Sequence, residues 1–278
     1  AEGPRAAFRA QLRAAAPQVL GYLAHVRNQV TRSTDGYQKF NLGVLECFKT
    51  WVEYCEIPAE TLCRCPVMNW AITSAIQDAY LFEATVDALV AVLRTYAIER
   101  REDMAPEKLA LAQLLVPALM TQQEAYEVAL RDGDDDTCRG LCRLFTEVAE
   151  SYLHLLVAAA APPPPGADPA QDLPQRVLAQ MLRCTAHPEP EIAAITLNFW
   201  YRLVKALQVL PPEEKQPRLA LYAGGFTQLA EVALGLLRLP EDYEGLSADQ
   251  AEDRDRFRLD VGDALEDCAG AVGADAVL

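Results

Sequence analysis

The chain has 278 residues, 51% hydrophobic and 23% charged, with 40 acidic against 25 basic residues and a formal net charge of −15. That balance argues against a general phosphate-binding surface and leaves either basic partners or solubility alone as its reason. The longest apolar run, "LLVAAAA" (155–161), is too short to span a bilayer, and the opening "AEGPRAAFRAQLR" lacks the apolar centre of a signal peptide and reads as the inside of a longer helical array.

The periodicity is helical from the start. Phe8, Leu12, Val19, Leu23, Val26 and Val30 keep a three-to-four spacing. Arg5, Arg9 and Arg13 form a separate stripe, and Pro17 is expected to kink or split this helix. "STDG" (33–36) punctuates, with Asp35 or Ser33 as candidate N-cap. The next helix, "YQKFNLGVLECFKTWVEYC", places Phe40, Val44, Leu45, Phe48 and Val52 on one face. A short helix over 66–76 and a longer one over 78–99 follow, then one over 105–131 bent at Pro117.

"DGDDDT" turns into a helix over 136–160, and the polyproline stretch "APPPPGADPAQD" (161–172) can only be a loop. Helices resume over 173–186, over 190–209 after "HPEPE", over 213–238 and over 250–272. In "EIAAITLNFWYRLVKAL" (191–207), Phe199, Trp200 and Tyr201 stand side by side, about 100° apart on a helix. Three such rings require packing partners on several sides rather than one buried stripe. No strand is read anywhere, because the apolar runs all sit inside 3.6-residue periods.

Ten helices in five antiparallel pairs result. Their second members begin roughly 43, 57, 53 and 62 residues apart, somewhat longer than HEAT repeats. The expected fold is all-α, an α-α superhelix of HEAT type forming a single array, with repeats over about 3–55, 64–99, 104–160, 172–209 and 213–272. A compact helical bundle is the rival. If the array is cut from a longer one, Phe8, Leu12 and Leu23 at one end and Ala264, Leu265 and Val272 at the other are expected to lack cover.

Catalytic signatures are weak. Asp134, Asp135 and Asp136 in "DGDDDTC" are consecutive, whereas a shared metal cluster needs carboxylates one turn apart. A helix N-terminus that favours negative charge is the simpler reading. Cys63-x-Cys65 with a distant Cys55 lacks zinc spacing, and His25, His154 and His187 are scattered. The eight cysteines fall mostly in apolar helical patterns and suit a reducing compartment. No enzyme, cofactor or metal is expected. The charge itself is uneven: residues 241–267 hold eleven acidic residues against three arginines. Asp249, Glu252, Asp253 and Asp255 gather at the expected start of the last helix, and Asp260, Asp263 and Asp267 continue along one edge of it. These seven, with Asp134, Asp135 and Asp136, are the candidate partner-binding residues.

"HPEPEIAAITLNFWYRLVKAL" resembles the NFWYRL-type helix of the transportin-SR and importin-13 branch of the importin-β family. "TQQEAYEVALRDGDDDTCRGLCRLFTEVAESYLHLLV" (121–157) and "LPEDYEGLSADQAEDRDRFRLDVGDALEDC" (239–268) resemble that branch in the same order. The polyproline loop departs from it as an insertion. The resemblance implies a nuclear transport receptor shuttling between cytoplasm and nucleus. Its partners would be Ran-GTP, basic or RS-domain cargo and nucleoporins, with no direct contact to nucleic acid or membrane. It also implies that the second helix of each pair lines the concave face. A HEAT scaffold unrelated to transport is the alternative.

Overall fold

The computed structural model describes residues 4–31, 35–159, 173–239 and 243–273, and within them the chain forms fourteen α-helices with no strand. The polyproline loop and Ser33 lie outside these residues. The contacts divide the chain into two compact units, residues 1–124 and 125–278.

The first unit holds α1 (Pro4–Gln29), α2 (Tyr37–Tyr54), α3 (Ala59–Cys63), α4 (Pro66–Thr73), α5 (Phe82–Thr95) and α6 (Pro106–Met120). Pro17 neither ends nor divides α1. Pro17 and Arg13, four residues earlier, both lie on the exposed side, where water takes over the backbone bond that proline removes. The buried stripe of α1 is Ala16, Leu20, Leu23 and Ala24, while Phe8 is 60% exposed. Neither Asp35 nor any other side chain caps α2; Gly36 precedes it at φ 74°, a conformation that costs glycine little. The inner face of α2 is Asn41, Val44, Leu45, Phe48 and Val52. Phe40 sits at its edge, 39% exposed, while the buried Asn41 amide donates back to the Tyr37 carbonyl of its own helix (2.9 Å). This face meets α5, whose Val86, Leu89 and Leu93 are fully buried. Tyr96 after α5 donates its hydroxyl to the Ile57 carbonyl, tying the α2–α3 connection down.

Expected helix 105–131 is two helices. It breaks at Thr121–Gln122, one turn beyond Pro117, where the Thr121 hydroxyl takes the Ala118 carbonyl (2.7 Å). The second unit then comprises α7 (Gln123–Asp132), α8 (Asp135–Ser151), α9 (Leu153–Ala159), α10 (Leu173–Thr185), α11 (Pro190–Ala194), α12 (Leu197–Gln208), α13 (Pro212–Leu236) and α14 (Ala248–Val272). Proline opens α11 and α13 at the first helical position, where its missing N–H has no helical partner to lose. Helix α14 begins with a full capping box: Ser247 and Gln250 exchange side-chain-to-backbone bonds. The stacking is that of a helical repeat. α8 packs on α10 and α12, α10 on α13, and α12 and α13 on α14.

By length and apolar composition α13 would suffice to cross a membrane. Here its stripe of Leu219, Tyr222, Phe226, Leu229, Ala230 and Ala233 is instead the buried seam of the stack. At the far end Ala264 is 5% exposed and Leu265 half-buried, and Leu23 in the first unit is buried too. The expected loss of cover therefore applies to Phe8 and to little else among those positions; the Val272 side chain lies outside the description. Of the three neighbouring rings, Phe199 and Trp200 are buried and Tyr201 is not. Tyr201 is 48% exposed with the Lys205 ammonium 5.2 Å from its ring centre.

Candidate partner-binding surface

Asp134 is the N-cap of α8. Its carboxylate accepts from the Thr137 amide (3.1 Å) and hydroxyl (2.7 Å), and these bonds hold its pKa below the ordinary carboxylate value. Asp136 pairs with Arg139 one turn on (2.9 Å). Asp135 points toward His187, with 4.0 Å between Oδ1 and Nε2. Two of the three aspartates are thus engaged within their own helix. Among the described residues no three His, Cys, Asp or Glu side chains converge to hold a metal.

His187 is fully buried, and desolvation lowers its pKa despite the nearby Asp135. Its Nδ1 accepts the Glu189 amide (3.0 Å), which fixes the neutral tautomer with the proton on Nε2. That bond shapes the loop 187–191, in which prolines and glutamates alternate. Burial also pushes the Cys138 thiol up to about 11 and the Cys268 thiol up to about 12, which removes both as nucleophiles at neutral pH. All eight cysteines are free thiols.

Along α14 the acidic residues divide by role. Asp249 lies in the first turn, where it favours the helix dipole. Glu252 pairs with Arg256 (3.1 Å), and Asp255 with Arg258 (3.5 Å) while accepting the Tyr243 hydroxyl (2.9 Å). Asp253, Asp260 and Asp263 are exposed and Asp267 is half-buried. The inner face of the helix is Phe257, Val261, Ala264 and Cys268, at a spacing that leaves the aspartates outside. Phe257 and Val261 join Ala193 of α11 and Ala233 of α13 in one small core, which fixes α14 against α11.

Between them lies an open groove of about 840 Å³. Loop 187–191 and α11 form one wall, with Glu189 and Glu191. The N-terminal half of α14 forms the other, with Asp253 and Asp260. Arg139 reaches from Asp136 (2.9 Å) to Glu191 (3.6 Å), joining the start of α8 to the start of α11. Glu189, Glu191, Arg139, Arg254 and Phe257 were not legible as site residues. "HPEPE" carried a signal, but only as punctuation between helices.

A stack of helices with exposed carboxylates on its last described helix defines a helical-repeat segment. Residues 133–234 match the family model described as the Transportin-3/Importin-13 second TPR domain. The chain is 28% identical to Transportin MOS14 of Arabidopsis thaliana over 84% of its length and 26% identical to Importin-13 of Gallus gallus over 92%. It spans about a quarter of the length of these relatives, 24% and 25%. A solved chain of importin-13 in its cytosolic state superposes on 99% of this chain with a TM-score of 0.81, at 16% identity and over 33% of that chain, which shows the HEAT-repeat fold. The chain is thus similar to transportins and importins of the transportin-3/importin-13 kind, with the family-model match confined to residues 133–234.

Proposed function

We propose that the chain is a segment of a nuclear transport receptor that shuttles between cytoplasm and nucleus and offers its second helices to cargo and to Ran-GTP. RS-domain or other basic proteins are the cargo class this reading favours. The observation that carries it is the set of carboxylates on α14 that no described cation neutralises, Asp253, Asp260, Asp263 and Asp267, on a chain of net charge −15. Asp249, Glu252 and Asp255 flank them, and Asp134, Asp135 and Asp136 extend the acidic surface at the start of α8. Exposed charges of this kind add little to stability but steer a basic partner into contact.

The test uses the intact receptor carrying Asp260→Asn, Asp263→Asn and Asp267→Asn together. Melting should shift by no more than a few degrees, since charges open to water contribute at most about 1 kcal/mol each. Association with Ran-GTP or an RS-domain protein should slow, and its salt dependence should flatten. Unchanged association rates at low salt for both partners would reduce the tract to a solvated face. Failure of the unaltered receptor to bind either partner would remove the transport reading.

A further inference from the structure

The first half of α1 carries a charge pattern at odds with the rest of the chain. The helix has four arginines and no aspartate or glutamate along its 26 residues, in a chain of net charge −15. Arg5, Arg9 and Arg13 stand four residues apart, so each is the surface neighbour of the next. Like charges at that spacing destabilise a helix. Arg5 also lies in the first turn, where the helix dipole is positive and no acidic residue offsets it. Local electrostatics therefore works against this end of the helix, and anionic charge laid along it would relieve both effects.

The three arginines are exposed and open to such charge. Among the described residues the stripe has one ion pair, between Arg9 and Glu56 at 3.7 Å, with side chains 68% and 61% exposed. A pair so long and so fully in water is worth little. Arg27, the fourth arginine, is placed differently: its guanidinium lies 4.8 Å from the centre of the Trp70 ring and serves the packing of α1 on α4. Phe8 stands within the stripe at 60% exposure, with Leu12 half-buried one turn further on. The surface thus offers an apolar anchor beside its cations, and aromatic and arginine side chains carry much of the energy at protein interfaces. Phe8 favours a polypeptide over a simple anion, because only a polypeptide brings an apolar side chain to cover it along with its charges.

We propose that the surface of α1 formed by Arg5, Phe8, Arg9 and Arg13 docks an acidic segment of another protein, its carboxylates over the arginines and an apolar side chain over Phe8. The proposal is independent of the acidic tract on α14, which calls for the opposite charge.

The experiment measures fluorescence anisotropy of the chain with a labelled peptide of glutamate and alanine carrying leucine at every fourth position. The same peptide with glutamine for glutamate is the control. At net charge −15 the chain as a whole repels an acidic peptide, so binding requires a local cationic surface. Arg5→Gln, Arg9→Gln and Arg13→Gln together remove the stripe, and the three corresponding Arg→Lys changes keep its charge. Arg131→Gln, Arg238→Gln and Arg256→Gln together remove equal charge from exposed arginines elsewhere. At low ionic strength the stripe variant should weaken binding by about fivefold or more, the distant variant by less than about twofold, and Phe8→Ala by about twofold or more. The lysine variant should bind within about threefold of the unaltered chain. Circular dichroism melting of the glutamine stripe variant should not fall, since repulsion has been removed. Absence of binding by the unaltered chain, or no preference for the acidic over the neutral peptide, overturns the proposal. So does equal weakening by the stripe and distant variants, or equal loss in the lysine and glutamine variants. Sedimentation of the chain alone completes the test: self-association at low salt that the stripe variant abolishes would give this surface to a second copy and overturn the proposal.

Discussion

Trp200 is the side chain on which the second unit most depends. It is 1% exposed, lies 5.1 Å from Phe199 and 6.5 Å from Phe226 in edge-on contacts, and donates its indole N–H to the Thr185 hydroxyl at 2.9 Å. It thereby joins α12 to α10 and α13 at once. Truncation to alanine removes the largest buried side chain among these helices and leaves a cavity between rigid walls, so the expected loss is about 3–5 kcal/mol. The hydrogen bond accounts for a minor part. The Thr185 hydroxyl retains the Met181 carbonyl (2.7 Å) and Thr196 (2.8 Å), so it is not orphaned when the indole goes. Trp200→Phe, which keeps most of the ring area and loses that bond, should therefore cost only about 1–2 kcal/mol. Urea unfolding followed by circular dichroism separates the two substitutions. A loss below about 1 kcal/mol for Trp200→Ala would refute the reasoning, because a side chain so enclosed cannot be removed that cheaply unless the helices collapse around the gap.

Adjacent glycines in α13 should respond oppositely. A Cβ at Gly225 would stand 2.6 Å from Leu178 Cδ2, so Gly225→Ala should lower stability by about 1 kcal/mol or more, whereas Gly224 has nothing within 4 Å and Gly224→Ala should raise it by about 0.5–1 kcal/mol; thermal melts of the pair decide. His187 has a lowered pKa, so the unfolded chain takes up its proton first. Stability from this group is full above the ordinary value near 6.5 and falls as pH drops through it toward the lower folded value. His187→Gln should flatten that part of the urea stability profile, and an unchanged slope would show that His187 does not set it. Glu150 on α8 accepts from Arg202 (2.9 Å) and Asn198 (2.8 Å) of α12, so Glu150→Ala should cost about 1–2 kcal/mol in urea unfolding, more than an exposed pair would.

The helical class and the approximate placing of the helices follow from local physics. A 3.6-residue apolar period and proline at helix starts act within a turn or two of themselves, so a linear reading captures them. The same reading could place Asp134 at a helix start, because an N-cap bond spans only three residues. What it missed was settled at longer range. The break at Ile195–Thr196 inside the expected helix 190–209 arises where the buried Thr196 hydroxyl bonds the Ala193 carbonyl and meets Thr185 of α10. Pro17 was tolerated within a helix that the sequence reading would kink or split. Which of three adjacent rings stays in water is likewise decided by neighbours: α10 and α13 receive Trp200, while Tyr201 stays half exposed beside the Lys205 side chain. The groove is the clearest case. Glu189 and Asp253 lie more than sixty positions apart, and the seating of α11 on α14 through Phe257 and Val261 brings both into the lining of one groove. Charge sign is written in the sequence; the distance between charges, on which their energy depends, is set by tertiary packing.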